Sequence, residues 1–179
     1  PLVRPGDTVR LGQKIGDAEG LSATVHASVS GRVVALEPRP HPSGRLVLSA
    51  VLENDGQDTP DHTLTPHRTL EGLSPDDLLS IIREAGIVGM GGATFPTDIK
   101  AVSAAGRVNT ILINACECEP YITADDALLC STPEQVLQGA AVLRSILHPD
   151  RVVLAVEDNK VQAIEAVRRC LNAYPDIEL

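Results

Sequence analysis

The chain has 179 residues, with 15 Lys and Arg against 24 Asp and Glu, a formal charge of −9 and 43% hydrophobic content, but only 2% aromatic content and no Trp. The excess of acid disfavours a nucleic-acid partner, which needs a basic face to displace counterions, and for the same reason disfavours the bare surface of an anionic membrane. No apolar run approaches the roughly 20 residues that span a bilayer, so direct membrane insertion is not expected; the apolar fraction suffices for an ordinary core built from Val, Leu, Ile and Ala.

Residues 1–58 read as a small all-β unit. "PGDTV", "GQKIGD", "TVHASV", "RVVAL" and "RLVLSAVLE" are short strand patterns divided by turn signals and closed by "NDG". The order resembles the barrel-sandwich hybrid of lipoyl and biotinyl carrier domains. The segment matching their modifiable tip, "GDAEGLSATVHA", contains no lysine, and Lys14 precedes it. A structural or docking role is therefore expected for this unit. Residues 59–73, with two prolines and without periodicity, read as a linker; His62 and His67 within it read as solvated loop histidines.

From residue 74 the period becomes helical. Ser74 and Asp77 have capping-box spacing, Pro75 suits the first helical position, and Leu78, Ile81, Ile82 and Ala85 form one apolar stripe ending at Gly86. A short helix over "TDIKAVSAAG" follows, then a buried-type strand "NTILINA". A second capping signature at Thr132, Pro133 and Gln135 predicts a helix to about Leu147. "RVVLAVE" reads as another strand, "NKVQAIEAVRRCL" as a helix and "IEL" as a third strand. Strands alternating with helices predict parallel, Rossmann-like α/β topology over residues 74–179.

Two stretches carry chemistry. "GIVGMGGATFPT", residues 86–97, holds Gly89, Gly91 and Gly92 together with Phe95, the only Phe of the chain. It lacks the third glycine and preceding strand of a dinucleotide fingerprint, and the Lys and spacing of a P-loop. Clustered glycines let backbone N–H groups approach a flat or anionic ligand, so ligand binding is favoured over a plain turn. "INACECEPYITADD", residues 113–126, follows a strand, where α/β folds place binding loops. Acids dominate it, and no Lys or Arg occurs between Arg107 and Arg144. That composition suits ligand hydroxyl and N–H groups better than phosphate. Asp125 and Asp126 are placed to cap a helix beginning near Ala127. The four cysteines show neither a C-x-x-C pair nor zinc spacing, so reduced thiols and a cytoplasmic setting are expected.

"GIVGMGGATFPTDIK" followed by "INACECEPYITADD" closely resembles RnfC, the peripheral subunit of the Rnf ion-translocating electron-transport complex, and the β unit and "VEDNK" at 156–160 fit the same family. The flavin-binding subunit of respiratory complex I is similar at a greater distance. The resemblance implies non-covalent FMN on the glycine loop, NADH stacked on the flavin, and electrons passed to iron–sulfur carriers at the cytoplasmic side of the membrane, among other complex subunits. It implies that Gly89, Gly91 and Gly92 lie along the flavin, that Phe95 faces the nicotinamide side, that Lys100 meets a phosphate, and that Asn114, Glu117 and Glu119 bind the flavin side. Met90, Thr94 and Cys116 depart from the complex I pattern, where Arg, Gly and an acid stand. The family's 4Fe-4S cysteines are not among these residues, and no metal site and no catalytic side chain is expected here.

The chain begins at Pro1 without a signal-peptide pattern and ends at "DIEL", which reads as the opening of a strand. An excised stretch is expected, inactive by itself and weak toward FMN, because a nucleotide crevice draws on several strand ends. The alternatives are a cobalamin reductase of a bacterial microcompartment and a docking subunit with a vestigial flavin site.

Overall fold

The computed structural model describes residues 1–63, 69–90 and 93–179. His67, Gly91 and Gly92 lie outside the described residues. By packing, Pro1–Glu71 with Ser80–Ile99 form one unit, and Gly72–Leu79 with Lys100–Leu179 form another. The change of periodicity at residue 74 is therefore not the packing boundary.

In the first unit, β1 (Thr8–Val9), β4 (Gly31–Pro40) and β5 (Leu46–Asn54) make an antiparallel sheet in the order β1-β4-β5, and β2 (Lys14–Gly16) pairs with β3 (Val25–His26). Alternate residues of these short strands point inward. Val3, Val9, Ile15, Ala27 and Val33 make the core, with Leu36, Ala50 and Leu52 packed against it. At the sheet corner, the buried Ser30 hydroxyl donates to Asp55 at 2.7 Å and accepts from the Thr59 N–H at 3.0 Å. Lys14, the lysine nearest the absent carrier tip, is held by Asp17 and Glu84, each at 2.8 Å.

The Ser30 hydroxyl, then the Gln57 N–H, hold the Asp55 carboxyl below its usual range. A carboxyl whose pKa is lower folded than unfolded stabilises the fold above the unfolded value and loses that contribution as pH falls through the folded one. We therefore expect the stability difference between the wild type and Asp55→Asn to be full at neutral pH and to shrink as pH falls below about 4. Thermal unfolding midpoints across that range check it; a difference independent of pH would refute it.

Helix α1 (Pro75–Glu84) begins as its sequence predicts. The Ser74 N–H donates to Asp77 at 2.9 Å and the Asp77 N–H to the Ser74 hydroxyl at 3.2 Å, a reciprocal capping box. It ends in a Schellman turn: the Gly86 N–H donates to Arg83 O at 2.9 Å and the Ile87 N–H to Ile82 O at 3.2 Å, with Gly86 at φ +68°. Helix α2 (Thr97–Ala104) follows the glycine loop.

The second unit carries the parallel sheet. β6 (Thr110–Asn114), β7 (Arg151–Ala155) and β8 (Ile177–Glu178) run parallel in the order β6-β7-β8, with Ile111 opposite Val152 and Val152 opposite Ile177. Helices α3 (Ala124–Ser131), α4 (Pro133–Leu147) and α5 (Val161–Leu171) connect the strands and pack on one another. Their Leu129, Leu137, Ala140, Ala163 and Val167 meet Ile111, Val152, Leu154 and Ile177 in a single core. Leu112, on the opposite side of β6, is 62% exposed, so the helices cover one face of the sheet.

Thr132 does not make the side-chain cap its spacing suggests. It ends α3 as well as preceding α4; its hydroxyl turns back to donate to Leu128 O at 3.3 Å and accepts no N–H of α4.

Candidate functional site

The glycine loop is built on a closed neck. The Gly89 N–H donates to Phe95 O at 2.9 Å and the Thr97 N–H to Ile87 O at 3.1 Å, and Val88 bridges Pro96, so both ends of the loop run antiparallel. At the tip, Met90 is 96% exposed and Thr94 takes a left-handed φ of +47°, uncommon for a residue with a β-branch. Phe95 is 43% exposed, outside both clusters of core residues.

The neck is anchored to the β unit from below. The Arg83 guanidinium donates to Ala18 O at 2.9 Å and lies 3.4 Å from Asp17 and 3.6 Å from the buried Asp98 at the start of α2. One side chain thereby ties the end of α1, the start of α2 and the 17–22 turn.

In the other unit, the acidic segment leaves the C-terminal end of β6. Asn114 accepts the Cys116 N–H on its own side-chain oxygen at 3.1 Å; its amide donors have no partner among the described residues. Glu117 behaves differently from the sequence reading of a helix capped by Asp125 and Asp126. Helix α3 starts earlier, at Ala124, and Glu117 Oε1 accepts the N–H groups of both Asp125 and Asp126, at 2.8 and 3.1 Å. A carboxylate from eight residues upstream is the cap, and it complements the positive end of the helix. Glu117→Ala should cost about 1 kcal/mol of stability, the usual loss on removing a cap, with Glu117→Gln costing less. Urea unfolding of both variants measures this; a Glu117→Gln variant as stable as the wild type would mean that the charge is immaterial, and equal costs that the charge carries the whole effect.

Glu119 and Tyr121 are exposed, Tyr121 fully and at φ +66°. Two groups that sequence reasoning did not single out come from the end of β7. The Glu117 N–H approaches Glu157 Oε2 at 3.4 Å, and Lys160 lies 3.8 Å from Asp126. The segment without Lys or Arg in sequence thus acquires a cation through the β6–β7 pairing. The signals for both residues were the position of "VEDNK" directly after a strand and its fit to the RnfC pattern. Desolvation, and next the Asp126 carboxylate, push the Cys130 thiol up. All four cysteines are free.

The structure thus brings Gly89 and Phe95 together in one unit and Asn114, Glu117 and Glu157 together in the other, while Lys100 is exposed on α2. Taken as chemistry, each set suits a part of a flavin nucleotide. The first offers an exposed aromatic face beside a narrow loop; the second offers amide donors, acceptor carboxylates and an exposed ammonium. Among the described residues no group of His, Cys, Asp or Glu could hold a metal ion, and no helix is long and apolar enough to cross a membrane.

Residues 82–179 match the Nuo51 FMN-binding domain, and the chain belongs to that family of flavin-binding domains. Residues 1–57 match the RnfC barrel sandwich hybrid domain. The chain is 46% identical over 181 aligned residues to the C subunit of the Na(+)-translocating ferredoxin:NAD(+) oxidoreductase complex of Acetobacterium woodii, covering 100% of this chain and 41% of that protein. It is 43% identical to the C subunit of the ion-translocating oxidoreductase complex of Edwardsiella ictaluri, covering 99% of this chain and 22% of that protein, and 41% identical to its counterpart in Haemophilus influenzae, covering 99% and 28%. The chain thus spans less than half the length of these relatives. A solved NAD+-reducing NiFe hydrogenase in the air-oxidized state is similar over 59% of this chain and 20% of that one, at 27% identity and a TM-score of 0.49.

Proposed function

We propose that this chain is the flavin-binding portion of an oxidoreductase subunit that passes electrons between NADH and iron–sulfur carriers in an ion-translocating membrane complex. The observation that carries the reading is the match of residues 82–179 to an FMN-binding domain, on the same stretch that holds the glycine loop and the acidic segment. The names of the relatives support the coupling to ion translocation. Flavin supplies the step from two-electron hydride chemistry to one-electron transfer.

The chain's own residues bind and orient. The backbone of Gly89, Gly91 and Gly92 follows the flavin, Phe95 offers its ring to the nicotinamide, and Lys100 neutralises a phosphate. Asn114 donates and Glu119 accepts along the flavin side. Glu117 holds the start of α3, with one carboxylate oxygen committed to that helix. The subunit sits peripherally on the cytoplasmic side, beside the other subunits of the complex.

The test is an anaerobic titration of the protein with FMN, followed by NADH. FMN fluorescence should be quenched on binding, weakly for residues 1–179 alone and tightly for a chain of the relatives' length, and NADH should bleach the bound flavin. No FMN binding in the longer chain would overturn the reading in favour of a docking subunit; FMN binding without bleaching would overturn the NADH assignment alone.

A further inference from the structure

The distal half of the β4–β5 hairpin is an arm that the core does not use. Every residue from Pro38 to Leu48 is exposed, although the ladder continues through Pro38–Leu48, Arg39–Val47 and Pro40–Leu46. Strand alternation puts Pro38, Pro40, Leu46 and Leu48 on one face, in line with Leu36 and Ala50, which pack against the core. The inward face of the sheet therefore runs on past the end of its core as an apolar strip, with Leu46 68% and Leu48 59% exposed. Below it, Leu48, Ala50, Ile15 and Val25, together with Asp17, line an open groove of about 240 Å³; the Asp17 carboxylate is paired with Lys14 at 2.8 Å. Arg39 lies on the other face, paired with Glu37, and His41 and Arg45 form the turn. Residues 38–48 contain no acid, in a chain whose charge is −9.

We propose that this arm docks the protein on the headgroup region of an anionic membrane, with Leu46 and Leu48 entering the interface and Arg39 and Arg45 meeting lipid phosphates. An apolar face backed by arginines is the composition of shallow interfacial binding, and such a strip needs no register or hydrogen-bond partners. Pro38 and Pro40 withhold N–H groups from the outer edge of β4, which disfavours an added protein strand there. Cytoplasmic loops of integral subunits are themselves rich in Lys and Arg and would repel the tip, whereas anionic lipids attract it. Net charge describes the whole chain; the arm is a local exception, and repulsion of the acidic remainder makes it the side that faces the lipid. The inference is independent of the flavin assignment.

Co-sedimentation with vesicles of phosphatidylcholine, with and without phosphatidylglycerol, tests it. The chain should partition onto the vesicles containing phosphatidylglycerol and much less onto phosphatidylcholine alone. Each arginine is expected to contribute about fivefold, so Arg39→Gln with Arg45→Gln should lower partitioning about 25-fold. Leu46→Ser with Leu48→Ser should also release the chain, with circular dichroism unchanged because all four positions lie outside the core. Should a double variant unfold, Arg45→Glu, in the turn before β5, makes the same discrimination. Equal binding to both vesicle types, undiminished binding of the variants, or concentration-dependent self-association lost in the leucine variant without vesicle binding would each overturn the proposal, the last by making the strip a contact between copies.

Discussion

Gly86→Ala is expected to destabilise the first unit by about 2–5 kcal/mol, combining left-handed backbone strain of roughly 1–2 with about 1–3 for overpacking. Gly86 holds φ +68°, and a Cβ there would lie 2.3 Å from the Thr24 carbonyl oxygen. Both partners are backbone, so no side-chain rotation relieves the clash. The peptide would have to move, and the neck of the glycine loop begins at the next residue, where Ile87 O accepts the Thr97 N–H. FMN affinity should fall together with stability. Gly20→Ala is the control: its φ of +75° carries the same strain, but nothing lies within 4 Å of its Cβ, so it should cost only the strain, about 1–2 kcal/mol. Urea unfolding of the two variants decides the matter. Equal losses would mean that the approach to Thr24 contributes nothing.

Lys100→Ala is expected to weaken FMN binding by about 1.5–3 kcal/mol, the range for a hydrogen bond to a charged group, which is about 10- to 150-fold in Kd. Lys100 stands one turn into α2, directly after the loop, and is exposed, so its removal should leave the unfolding midpoint nearly unchanged. Added salt should weaken the wild type more than the variant, because an exposed charge pair is screened. Arg107→Ala, at a position with no assigned role, should bind FMN as the wild type does. Fluorescence titration at two salt concentrations measures all three proteins. Unchanged affinity in Lys100→Ala would move the phosphate to another cation, of which Lys160 is the one that the fold brings to the acidic segment.

What was legible in the sequence was local. The capping box at Ser74 and Asp77 closes over three residues, and the apolar stripe that follows depends only on helical period, so α1 could be read without its surroundings. The strands β6 and β7 were legible because each is a short unbroken apolar run rich in branched residues, a signal contained in five positions. The resemblance to RnfC also lies in two contiguous motifs, which is why it is legible without the fold.

What only the tertiary structure decided were choices among partners distant in the chain. Thr132 had the right neighbours for a cap, yet two helices abut there, and its hydroxyl is turned to the carbonyl of the helix before it and accepts no N–H of the helix after it. Asp125 and Asp126 looked like caps and are instead capped, since Glu117 reaches the same N–H groups from the preceding loop. Gly86 reads as a helix terminator; its contact with Thr24, 62 residues earlier, makes it also the joint between the glycine loop and the β unit. Period, capping and turn chemistry act over a few residues and are written in the order of the chain. The choice among several competent donors and acceptors depends on which of them the packed core holds within 3 Å, and that distance exists only after folding.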